Sequence, residues 1–117
     1  MQFLAVVGKE IGMLSDILML MDFYGQLLTA RTRGFLELHY EEDMSFSEIA
    51  ELEGVSRQAV HDSVKRGVLT LRAFEKKMGL IHRFQQQGEI IRSALMALQE
   101  EKTQEAGDIL TRLMDQL

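Results

Sequence analysis

The stretch Ser45–Arg66, SFSEIAELEGVSRQAVHDSVKR, constrains what this chain can fold into more than any other. It predicts two short helices joined by a tight turn. Ser45 is a good N-cap, and Glu48 three residues on completes a capping box. Met44 and Ile49 are placed to form the hydrophobic staple around that cap. Ile49, Ala50 and Leu52 give the first helix one apolar face. Gly54 follows where a left-handed C-terminal residue is usual. Ser56 caps again, with Val60 placed to staple against Val55. In the second helix Val60 and Val64 point inward, while Arg57, Gln58, His61 and Lys65 point outward. This is the pattern of a helix-turn-helix, whose second helix enters a major groove and reads bases from its N-terminal turn.

The flanking segments are also helical by pattern. Ile11–Leu28 is the most apolar stretch, with Leu14, Ile17, Leu18, Met21, Tyr24 and Leu28 at helical spacing and Met13, Leu20, Phe23 and Leu27 widening the stripe. Asp16 and Asp22 interrupt it, so it is not read as a membrane span. A helix apolar nearly all round is buried on several sides. That fits either burial against a second copy, making a homodimer, or the central core helix of one chain. Thr29 can cap a helix from Ala30 to about Glu42. The second helix of the motif continues through Gly67, because Val60, Val64, Val68, Leu71, Phe74 and Met78 form one stripe that Gly79 ends. A further helix is expected from Leu80 to about Glu101, with Ile81, Phe84, Ile91, Ala94, Leu95 and Leu98 on one face and Gly88 marking a kink or break. Thr103 is placed to cap a last helix carrying Ile109, Leu110, Leu113, Met114 and Leu117. Met1–Gly8 lacks a basic n-region and reads as an extended start, not a signal peptide.

Composition agrees with an all-α chain: among 117 residues there is no proline and no tryptophan. The absence of cysteine excludes a disulfide framework and a thiolate zinc site, and fits a reducing cytoplasm. Charge argues against a simple DNA binder, since the net charge is −5. It is unevenly placed, however. Ser45–Lys77 carries a balance of +1, leaving −6 on the rest of the chain. No catalytic constellation is visible. There is no phosphate-cradling glycine loop, and His39, His61 and His82 are isolated, so no enzyme, cofactor or metal reading has support. Glu37 and Glu41 lie one helical turn apart and are better read as solvated carboxylates than as a metal site.

If the motif reads DNA, Gln58 could pair with an adenine edge, and Arg57 with guanine or a phosphate. Ser45, Ser56, Lys65 and Arg66 would hold the backbone, and His61 would face the same groove. Asp62 would repel phosphate unless it accepts from a cytosine. Binding residues expected from the sequence are therefore Ser45, Ser56, Arg57, Gln58, His61, Lys65 and Arg66.

The segments FYGQLLT (Phe23–Thr29), LELHYEEDMSFSEIAELEGVSRQAVHDSVKR (Leu36–Arg66) and Leu71–Glu75 together resemble the YlxM family of small bacterial proteins. The motif also resembles region 4 of bacterial sigma factors. The resemblance implies an all-α, winged-helix-like or sigma-region-4-like domain with extra helices. In this chain that means a single helical domain over 1–117, with a helix-turn-helix core at 30–78 and a C-terminal helical extension at 80–117. It further implies a regulatory or accessory role in the signal recognition particle pathway, a link suggested by the family's gene neighbours. The expected protein is cytoplasmic and non-enzymatic, and binds DNA or the particle's RNA. The alternative is a protein-interaction module that binds the pathway GTPase without nucleic acid.

Overall fold

The structure, a computed structural model, describes residues 13–117. The start at Met1–Gly8 and the first residues of the Ile11–Leu28 helix lie outside them. The described chain is helical throughout its regular elements: α1 (Met13–Tyr24), a 3₁₀ turn (Gly25–Leu27), α2 (Ala30–Leu36) with a π-helical turn (Glu37–Glu41), α3 (Phe46–Glu53), α4 (Arg57–Met78), α5 (Leu80–Gln99) and α6 (Thr103–Gln116). Among the described residues there is no strand, so the helix-turn-helix carries no β-wing there. Backbone contacts divide the chain into a unit that runs to Ile81 and one that holds His82–Leu117.

In the first unit, the local signals in the sequence set the helix ends. Thr29 Oγ1 accepts from the Thr32 amide at 3.2 Å and caps α2. Ser45 Oγ accepts from the Glu48 amide at 3.1 Å while Glu48 Oε1 accepts from the Ser45 amide at 2.9 Å, which closes the capping box of α3. Gly54 ends α3 at φ 68° and Gly79 ends α4 at φ 65°, both left-handed and therefore suited to glycine. Ser56 Oγ accepts from the Ala59 amide at 3.0 Å and starts α4. The expected α2 does not run on to Glu42 as a regular helix. Its last turn widens, and the Glu42 amide donates to the Glu37 carbonyl five residues back at 3.1 Å.

Helices α1, α2 and α3 each pack against α4, which crosses the whole unit. Ile17, Met19, Leu20, Met21 and Tyr24 of α1, Phe35 and Leu36 of α2, Ile49 and Ala50 of α3, and Val60, Val64 and Leu71 of α4 are buried. The apolar first helix thus finds its burial within one chain, and its composition no longer requires a second copy. Four positions of the expected apolar stripes face outward instead: Leu14 is 55% exposed, Leu27 58%, Leu52 62% and Met78 39%. Leu52 is the residue that departs from the inward face Ile49 and Ala50 define on α3.

Gly67 has a reason that the periodicity did not supply. A Cβ at this position would lie 2.8 Å from Thr32 Cγ2 and 3.0 Å from Leu36 Cδ1. The missing side chain lets α2 and α4 approach closely, with Thr32 Oγ1 and Ser63 Oγ 3.4 Å apart beside the crossing. This close approach offsets a helix-propensity cost of about 1 kcal/mol.

A polar node ties α1 to the α4–α5 junction. The Tyr24 hydroxyl, 1% exposed as a residue, donates to Glu75 Oε1 and accepts from the Leu80 amide at 3.1 Å. Glu75 Oε1 also accepts from the Ile81 amide at 3.0 Å. Burial, and then the bond to Glu75, raises the Tyr24 pKa above the ordinary phenol value. A raised folded-state pKa contributes stability that is present below the unfolded value, about 10, and is lost as pH rises through the folded value. Tyr24→Phe should therefore cost about 1–2 kcal/mol at neutral pH. It should also remove part of the wild type's loss of stability above pH 10, measured by urea unfolding from pH 7 to 11.

The second unit corrects two expectations. Gly88 lies inside an unbroken α5, which ends at Gln99. The termination is made by Glu101 in the left-handed region at φ 60°, with the Lys102 amide donating to the Ala97 carbonyl at 2.8 Å. Thr103 is the first helical residue of α6, not its cap; Lys102 holds the cap position without a side-chain hydrogen bond. Ala94, Ala97, Ala106 and Leu113 are buried, whereas Ile91, Leu95, Leu98, Leu110, Met114 and Leu117 are exposed.

Candidate nucleic-acid interface

Burial of Val60, Val64 and Leu71 fixes the rotation of α4, so the opposite face is presented outward. Arg57, Gln58, Lys65 and Arg66 are exposed on it, and His61 and Asp62 are half-buried. Arg57 and Lys65 make no ion pair among the described residues, which leaves both cations available to an anion. Ser56 stands at the N-terminus of the same helix, where unpaired amides and the helix dipole favour negative charge. Its hydroxyl oxygen is occupied as a cap, so only its O–H remains to donate to a phosphate. Ser45 does the same on α3 and belongs to a different helix end.

The structure brings three of these side chains into direct contact. Gln58 Nε2 donates to Asp62 Oδ1 at 2.9 Å, and His61 Nδ1 reaches the same oxygen at 3.4 Å. Asp62 is thereby held below the usual carboxylate range, first by the Gln58 bond, then by His61, with Arg66 adding its charge. The carboxylate that looked like an intruder among readers is a partner of two of them.

Two residues on this face were not among the expected binding set. Arg72 and Lys76 are exposed, and they follow Lys65 at intervals of seven and four residues, which continues the cationic stripe along α4. The spacing was readable, since the sequence already places both in one helix running to Met78, but they lie outside the Ser45–Arg66 motif from which the binding set was drawn. Behind the stripe, aromatic rings brace His61. It meets Phe46 edge-on with centroids 5.3 Å apart, and Phe46 stacks on His39 at 4.4 Å.

Away from α4, a cleft of about 180 Å³ is lined by Met21, Asp22, Gly25, Gln26, Leu28, Arg33, Leu36, Glu37 and Glu41. Arg33 pairs with Glu37 at 3.4 Å. Although Glu41 is exposed, desolvation, with the charges of Glu37, Asp22 and Glu42, raises its pKa. Among the described residues no group of three or more acidic, histidine or cysteine side chains is gathered as metal ligands would be. No described helix is long and apolar enough to cross a membrane.

The capped pair α3–α4, with a glycine turn and an outward polar face on the second helix, defines a helix-turn-helix protein. The chain belongs to the UPF0122 family, a helix-turn-helix family described as YlxM / p13 like, whose model matches residues 14–111. It is similar to a UPF0122 protein of Desulforamulus reducens, 43% identical over 94 residues that cover 80% of each chain. It is 51% identical over 69 residues, 59% of each chain, to one of Acetivibrio thermocellus. It is 39% identical over 98 residues, 84% of this chain and 90% of the relative, to one of Halalkalibacterium halodurans.

Proposed function

We propose that this chain is a cytoplasmic, non-enzymatic accessory or regulatory protein of the signal recognition particle pathway that binds nucleic acid through the outer face of α4. The observation that carries the reading is the placement of Arg57, Gln58, His61, Lys65 and Arg66 on the exposed side of a helix whose N-terminus is capped at Ser56. Gln58 would read an adenine edge and Arg57 a guanine or a phosphate. Ser45, Ser56, Lys65 and Arg66 would grip phosphates, which position without specifying. Duplex DNA suits this helix better than duplex RNA, whose major groove is too deep and narrow for a helix to read. Particle RNA would be held by its phosphates and loops.

The test is binding of the full chain to duplex DNA, to particle RNA and to the pathway GTPase across a salt series. Steeply salt-dependent binding to either nucleic acid supports the reading. Binding to the GTPase with no nucleic-acid binding at low salt would overturn it. A specific observation favours that second outcome as the runner-up: α5 and α6 expose the apolar stripes Ile91, Leu95, Leu98 and Leu110, Met114, Leu117, suited to a protein partner. A second copy is the other partner such stripes would seat. Light scattering decides this, since a molar mass of one chain at high concentration excludes the homodimer.

A further inference from the structure

Gln58 and Asp62 stand on successive turns of α4, joined by the 2.9 Å bond from the Gln58 amide to Asp62 Oδ1. Asp62 is itself positioned. His61 Nδ1 approaches the same oxygen at 3.4 Å, and because a carboxylate only accepts, Nδ1 carries the proton. The His61 ring sits edge-on to Phe46, at an interplanar angle of 82°. Phe46 in turn stacks on His39 at 27°. His39 Nδ1 donates to the Met44 carbonyl at 2.8 Å, which fixes that ring against the loop before α3. A continuous line of contacts thus runs from Met44 through His39, Phe46 and His61 to Asp62 and ends on Gln58.

This line bears on recognition. A bidentate contact to adenine uses one N–H and the carbonyl oxygen of a glutamine. Gln58 spends one N–H on Asp62, and its second N–H and its carbonyl remain available. An unrestrained exposed glutamine loses rotamer freedom when it binds, whereas a tethered one has lost much of it beforehand. The tether has an opposing effect, because the Asp62 charge faces the same polyanion that Arg57 and Lys65 attract.

We propose that Asp62 is a specificity-determining positioning residue: it orients the Gln58 amide for base reading and weakens overall attraction to the phosphate backbone. This rests on the nucleic-acid reading of α4. Its two effects separate in two substitutions. Asp62→Asn removes the charge and keeps a carbonyl that accepts from Gln58. Asp62→Ala removes both charge and acceptor.

The experiment uses the full chain and a pool of random-sequence DNA duplexes. Bulk affinity is measured across a salt series, and base preference by sequencing the retained fraction, for wild type, Asp62→Asn, Asp62→Ala and Gln58→Ala. Both Asp62 variants should bind the pool several-fold more tightly at low salt. Asp62→Asn should keep the wild-type preference at the adenine position. Asp62→Ala should lose about tenfold of that preference, approaching Gln58→Ala. A merely structural role predicts no such split, since Asp62 is only half-buried at the surface of its helix. Full base preference in Asp62→Ala, or equal loss in Asp62→Asn, would overturn the proposal while leaving the nucleic-acid reading standing. A wild-type chain that retains none of the pool or of particle RNA at low salt would overturn that reading, and this proposal with it.

Discussion

Replacing Arg57, Lys65 and Arg66 together by alanine should lower affinity for duplex DNA on the order of a hundredfold at low salt and flatten its salt dependence. Each cation that neutralises a phosphate releases condensed counterions, so log affinity falls against log salt with a slope of about −0.9 per phosphate on B-DNA. Loss of two or three such contacts should reduce the slope by about two to three units. Arg57 carries an additional term if it reaches a guanine edge, roughly 1–3 kcal/mol. All three side chains are exposed, so the folded state should be nearly unaffected, with stability changed by less than about 0.5 kcal/mol. Fluorescence anisotropy over 25 to 200 mM salt, beside a urea melt of the same variant, separates lost binding from lost folding. An unchanged slope would mean that the outer face of α4 does not contact phosphate.

Gly67→Val should destabilise the helix-turn-helix unit. Helix propensity alone favours replacing a mid-helix glycine, by up to about 1 kcal/mol for alanine. Packing opposes it. The first added carbon falls 2.8 Å from Thr32 Cγ2 and 3.0 Å from Leu36 Cδ1 on the next turn of α2, and Leu36 is fully buried. Valine adds two methyl groups to that crossing, and overpacking of this kind costs about 1–3 kcal/mol or more. The net loss should be about 2 kcal/mol, lowering Tm by roughly 8–16 °C for a unit of this size. Gly67→Ala should lie between, with propensity and crowding nearly cancelling. A valine variant as stable as wild type would show that α2 and α4 separate at little cost.

Most of the helix-turn-helix was legible because its signals are local. A cap at Ser45 or Ser56 depends on an amide three residues away, and Gly54 and Gly79 end helices through their own φ. What the sequence withheld depends on distant partners. Gly67 reads as a weak point until α2 arrives against it. Glu75 reads as one more surface charge, yet it accepts from Tyr24 and from the Ile81 amide. Leu52 fits a helical stripe with Ile49 by spacing, but α3 turns Ile49 and Ala50 inward and leaves Leu52 exposed. At the candidate interface the residue types were readable, and their pairing was not. Gln58 and Asp62 at an interval of four are a common surface pair, and only the geometry shows that the two are hydrogen-bonded.

The widened turn at Glu37–Glu41 has a consequence for how this chain can vary in length. A turn closed by a bond spanning five residues holds one residue more than a regular α-helical turn. Removing one residue there could restore a regular turn, with the surplus absorbed before the Ser45 cap instead of passed on to α4. The stretch between Leu36 and Ser45 is therefore a joint at which one residue fewer should leave the rotation of α4 unchanged.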